Sequence, residues 1–196
     1  MSPLPRTATA LLLLTVGAAA TGCGPMSDSS EGSRPDMNMQ QGAEQADGIL
    51  QQTLGAIEPP LRWSHGPSTH SSCGDDPNAP ENTGSVDRII QIRTIVSEER
   101  RGSLLGVVER AWKARGYRIT NVNTSKRFPA INASTPDHFQ VEVSVGGEGQ
   151  FFFSVTTPCF TTSDVADPTA QPNAAPREGE FPWRPDTHDA FWSVTS

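Results

Sequence analysis

No Gly-x-Ser-x-Gly string occurs in these 196 residues, so the sharp turn that raises a serine nucleophile has no sequence to build it. Ser-x-x-Lys is missing too: Asn123 stands three residues before Lys126, and Arg110 three before Lys113. His-Glu-x-x-His, the helix-borne zinc pattern, is absent. So is a Gly-rich phosphate loop, because Gly146-Gly147-Glu148-Gly149 falls between two strand-like runs rather than between a strand and a helix. No internal repeat is found. The chain is therefore expected to be non-enzymatic, with no catalytic residue, no metal and no cofactor.

A basic stripe of the kind nucleic acids require is also lacking. The formal charge is −7, and losing residues 1–22, whose only charged side chain is Arg6, makes it −8. Residues 24–48 hold Asp28, Glu31, Asp36, Glu44 and Asp47 against Arg34, and residues 161–196 are likewise acidic, while the segment between is neutral. A neutral body with acidic ends argues against a nucleic-acid partner and for a soluble body held off a surface. Locally, Arg100, Arg101, Arg110, Lys113, Arg115 and Arg118 make a basic surface on and beside one helix. It suits anionic lipid headgroups or an acidic wall polymer, or serves simply as a solvated helix face.

Cysteine is scarce, at three residues. What precedes the first is distinctive. Arg6 gives a positive start, residues 8–20 are an apolar run, and Thr21-Gly22 are small. This order describes an export signal, and the run is shorter than the roughly 20 residues a membrane-spanning helix needs. A Cys directly after such residues resembles the lipobox of bacterial lipoproteins, which implies that Cys23 is S-diacylated (palmitate or a similar chain) and becomes the mature N-terminus. An ordinary secretory signal is the alternative. With Cys23 taken by lipid, Cys73 and Cys159 remain as a pair, and in an oxidising compartment they are expected to form a disulfide. Two free thiols or a metal site are the alternatives.

Residues 23–40 show no hydrophobic period and read as a flexible tether. Apolar positions at Ala43, Ala46, Ile49, Leu50, Leu54 and Ile57 step by three and four, predicting a helix ended by Pro59 and Pro60. Leu61, Trp63 and His65 alternate as a short strand, and residues 66–84 read as a loop. Val86–Val96 is a β-branched central strand. Ser97 predicts a helix cap, Glu98 and Glu99 suit the helix dipole, and Gly116 stops that helix. Leu105 and Trp112 are expected in the core. Strands follow at Tyr117–Asn121 and, irregularly, at 128–135. The alternation Phe139, Val141, Val143, Val145 is answered by Phe151, Phe153 and Val155 across a Gly-rich hairpin. From residue 161 five prolines forbid a long regular element, but Trp183, Phe191 and Trp192 suggest a tail that docks. The domains expected are a signal at 1–22, the tether at 23–40, a body at 41–160 and a Pro-rich tail at 161–196. The class is α+β, a two-layer sandwich of helices on a mainly antiparallel sheet.

His65, His70, Cys73, Asp75 and Asp76 lie close in sequence. Their types suit zinc or copper, or a hydrolase using His65 or His70 with Asp75 or Asp76. But their spacing matches no metal pattern, Cys73 is better used in a disulfide, and the expectation is a polar loop stapled by Cys73 with no catalytic or metal role.

The chain resembles the small lipoproteins of high-GC Gram-positive bacteria, most of unknown function. The resemblance rests on Thr21-Gly22-Cys23, Leu61-Arg62-Trp63, Val96-Ser97-Glu98-Glu99-Arg100 running into Trp112-Lys113-Ala114-Arg115-Gly116-Tyr117, Thr157-Pro158-Cys159 and Phe191-Trp192. It implies a lipoprotein anchored on the outer face of the cell membrane through Cys23; the partner expected for such a tethered body is another envelope protein or a wall polymer. It implies no activity.

Overall fold

The computed structural model describes residues 37–74 and 81–195. Cys23, Asp75 and Asp76 lie outside them. Helix α1 (Met39–Leu54) is opened by Asn38, whose side chain accepts from Gln41 N while the Gln41 side chain accepts from Asn38 N, a reciprocal cap that satisfies two otherwise orphaned donors. The helix thus starts inside the segment read as tether. The apolar period runs on to Ile57, but the helix stops at Leu54, and Ile57 is buried just beyond it, ahead of Pro59.

The strands are β1 (Trp63–His65), β2 (Thr69–Ser72), β3 (Thr83–Ile92), β4 (Arg118–Asn123), β5 (Ala130–Ser134), β6 (Gln140–Val145), β7 (Phe151–Thr156) and β8 (Phe160–Thr161), with helix α2 (Glu98–Ala114) between β3 and β4. They form one sheet in the order β1-β3-β7-β6-β5-β4, with β2 and β8 also on β3, and every named pair is antiparallel. The fold is α+β. The β6–β7 register sets Val141 opposite Val155, Val143 opposite Phe153 and Val145 opposite Phe151. These six side chains are buried on one face, and α1 and α2 cover that face through Ala43, Ala46, Leu50, Leu104, Val108 and Trp112. Gly42 permits the close approach: a Cβ there would come within 2.5 Å of the Phe160 ring.

Three local expectations are corrected. Residues 66–84 are not all loop, because Thr69–Ser72 pairs along β3 with all four residues exposed. Ten-residue β3 offers an edge longer than β1 can fill, and a polar strand filling it carries no apolar period. Ser97 stands at the N-cap of α2 but does not cap it; its Oγ donates to Val194 O at 2.7 Å. Leu105 is half-buried and packs at the edge of the core, whereas Trp112 is fully inside.

Residues 162–195 form a strap rather than a loose tail. Asn173 Oδ1 accepts from Trp63 N and Ala174 N donates to Trp63 O, which covers the edge strand β1. Trp183 N donates to Gln91 Oε1 on the other sheet face, where Phe181 meets Phe152 edge-on. Trp192 is 1% exposed, and its Nε1 donates to Pro59 O at 2.8 Å.

Candidate functional site

Among the described residues His65 and His70 do not converge, and Asp75 and Asp76 lie outside them. His65 pairs opposite Ile90 and His70 opposite Val86, four positions apart on β3, which is about 14 Å of strand. His65 Nε2 lies 2.7 Å from Ala170 O, and its ring meets Trp63 edge-on, while His70 is exposed. Cys73 is joined to Cys159 in a disulfide. Among the described residues no group of three or more His, Cys, Asp or Glu could hold a metal ion.

A different set lines an open groove of about 520 Å³. Gln45, Gly48, Ile49 and Gln52 come from α1, Arg115 and Tyr117 from the α2–β4 corner, and Thr135, Pro136 and Asp137 from the β5–β6 turn. Each wall has a local cause. Gly116, at φ +77°, takes the left-handed conformation that ends α2 and turns the chain into β4. The Arg115 side chain donates to Ala111 O and to Gln52 O, tying α2 to α1. Thr135 accepts from Phe139 N through Oγ1 and donates its own N–H to Phe139 O, holding the turn. At Gly48 a Cβ would meet nothing within 4 Å, so the floor is open. Burial raises the Tyr117 phenol above its ordinary range, against the pull of Arg115, so it stays a neutral donor and acceptor. Amides, a phenol, a guanidinium and a carboxylate suit the binding of a polar ligand. Nothing in the sequence foreshadows the groove, because its walls come from three distant segments and none of its residue types is unusual where it stands.

Two charged pairs brace the body. Arg88, 1% exposed on the helix-covered face, has Nε 3.3 Å from Asp47 Oδ1 on α1. Desolvation nonetheless leaves the Asp47 carboxyl above its ordinary range, with Arg88 pulling it down. Arg93 holds the strap through a charge-assisted contact to Asp186, which also receives Arg177 at 3.0 Å. The hydrogen bond from Arg93, and then its charge and that of Arg177, hold the Asp186 carboxyl below 3.8 despite some burial. A carboxylate whose folded pKa is depressed stabilises above its unfolded pKa and loses that contribution as pH falls through the folded value. The strap should therefore loosen below about pH 4. Limited proteolysis after residue 175 should speed up there in the parent and less so in Asp186→Asn, which is already loosened at neutral pH.

Of the six cations flagged on and beside α2, Arg100 lies over the Phe191 ring, Arg101 faces Glu98, Lys113 pairs with Glu109, and Arg115 binds carbonyls. The Arg110 and Arg118 side chains make no such contact among the described residues.

No family model matches the chain, and no curated protein matches it. A solved crystal structure of the "putative lipoprotein LppA" from Mycobacterium tuberculosis is similar to it at 12% identity, covering 59% of this chain and 70% of that one, with a TM-score of 0.34. A likeness of that size transfers neither residue roles nor activity. Among the described residues no helix is long and apolar enough to cross a membrane.

Proposed function

We propose that this chain is a lipoprotein held at the outer face of the cell membrane by acyl groups on Cys23, and that its α+β body is a non-enzymatic module binding an envelope partner through the polar groove. The observation that carries the reading is how the cysteines are shared. Cys73 and Cys159 are joined to each other, which fits an oxidising, extracytoplasmic compartment and leaves Cys23 as the remaining cysteine, placed directly after an export-type leader. Two acyl chains anchor a protein far more durably than one, because each buried CH₂ contributes about 0.8 kcal/mol. The separation of His65 from His70 along β3, and the use of Cys73 in the disulfide, weigh against a metal carrier built on that stretch; the rival hydrolase pairs His65 or His70 with Asp75 or Asp76, which lie outside the described residues.

Cys23→Ser should move the protein from washed membranes to the medium, and the parent should carry the mass of diacylglycerol on a chain beginning at residue 23. A variant that stays in washed membranes would overturn the anchor.

A further inference from the structure

Resting on the anchored reading, we infer that the β4 edge and the β4–β5 loop form a second membrane contact, a docking surface for anionic lipid headgroups. Residues 110–136 contain six Lys and Arg and no Asp or Glu, in a chain of formal charge −7. That segment builds the free edge of the sheet, since β4 pairs with β5 on one side only. Arg118 on β4 and Lys126 and Arg127 in the loop are exposed. Arg118 and Lys126 pair with no side chain among the described residues, and Arg127 lies 5.0 Å from the centre of the Phe128 ring. The acidic groups nearest this edge are fewer than its cations: Glu109 on α2 is engaged by Lys113, Glu98 on α2 faces Arg101 and lines the hollow that Lys126 borders, and Asp137 and Glu142 stand on the β5–β6 turn and on β6.

Apolar side chains decide between a membrane and a soluble polyanion. Val122 is 47% and Phe128 45% exposed, the two highest values among large apolar residues of the described chain. Arg118 and Val122 point to opposite faces of β4, across from Ser134 and Ile131, and flank the edge, while Phe128 stands beside Lys126 and Arg127 in the loop. Cations next to exposed apolar groups match the chemistry of a bilayer interface, where phosphates meet acyl chains. A wall polymer would use the cations and leave the ring and the valine in water.

Chain length permits the pose. Met37, the first of the described residues, has its O accepting from Thr161 N beside β3. In the sheet order β4 lies four strand spacings from β3, or about 19 Å. The 13 residues from 24 to 36 span at most about 45 Å. An anchor at Cys23 therefore lets the β4 edge lie against the same membrane.

The test separates this contact from the anchor by using the unacylated polypeptide from residue 23 with Cys23→Ser; Arg34–Ser196 forms a compact unit of its own. Flotation with phosphatidylglycerol-containing vesicles should carry the protein, pure phosphatidylcholine vesicles should not, and added salt should release it. The triple variant Arg118→Glu, Lys126→Glu, Arg127→Glu should bind at least about 100-fold more weakly, each lost cation accounting for about fivefold. Phe128→Ser should weaken binding several-fold at unchanged melting temperature. Equal binding to both vesicle types, or undiminished binding by the folded triple variant, would overturn the inference. Competition by soluble poly(glycerol phosphate), with no effect of Phe128→Ser, would also overturn it and assign the edge to a wall polymer. Failure here leaves the Cys23 anchor standing, since the probe carries no lipid.

Discussion

Replacing Cys73 and Cys159 together by Ser should lower the free energy of unfolding by about 4–5 kcal/mol in the chain-entropy model. The bond closes a sequence separation of 86 residues, and what it chiefly removes is freedom of the unfolded chain. Small domains are stable by only about 5–15 kcal/mol in all, so the loss would consume a large share of the margin. Its location determines what fails first. Cys73 directly follows β2, whose four residues are exposed, and Cys159 directly precedes two-residue β8. Both elements hang on β3, and β2 buries no apolar side chain to hold it there. The double Ser variant should therefore lose amide-exchange protection at Thr69–Ser72 well before Val141–Val145, whose pairing to β7 is covered by the helices. Urea unfolding of parent and variant, with exchange measured on both, checks the two claims. A loss under about 1 kcal/mol would show that the unfolded chain was already restricted, as compact denatured ensembles can be.

Exposure explains what could be read from the sequence and what could not. Helix α1 and the β6–β7 hairpin were legible because each buries one face and exposes the other, so the period of the element is written in apolar residues. Strand β2 buries neither face, and Thr-His-Ser-Ser looks the same paired or unpaired. Arg88 sits inside a β-branched run where a cation reads as solvent-facing, but its register opposite Val155 turns it to the core, and the Asp47 that meets it lies on α1. Composition correctly ruled out a long regular element after residue 161, while the docking depended on Gln91 in β3 and Arg93 just beyond it, polar residues of a run that looked ordinary. The same geometry bears on the His65–Asp76 stretch, read from the sequence as a polar loop stapled by Cys73. His65 and His70 are close in sequence, but extended backbone holds them apart. The groove has the opposite property, since residues 45–52, 115–117 and 135–137 meet only once the helices lie on the sheet. Its chemistry had no sequence signature to find.

The second large effect is expected at Trp112. Trp112→Ala should cost about 3–5 kcal/mol, the usual range for truncating a buried Trp. The side chain is 1% exposed, and its Nε1 donates to Thr53 Oγ1 at 3.0 Å while that hydroxyl donates to Ile49 O at 2.9 Å. The ring thus fills space between the two helices and the sheet, and also completes a buried hydrogen-bond chain running from α2 into the last turn of α1. Two further variants separate these contributions. Trp112→Phe keeps most of the packing but withdraws the donor. Thr53→Val keeps the shape but leaves Nε1 buried and unpaired, which should cost about 1–3 kcal/mol. Because Trp112→Phe and Thr53→Val each break the same bond, the double variant should cost clearly less than the two losses added together. Strict additivity in that cycle would mean that the two helices are held by packing alone. A loss below about 1 kcal/mol for Trp112→Ala would mean that the ring is not part of the core.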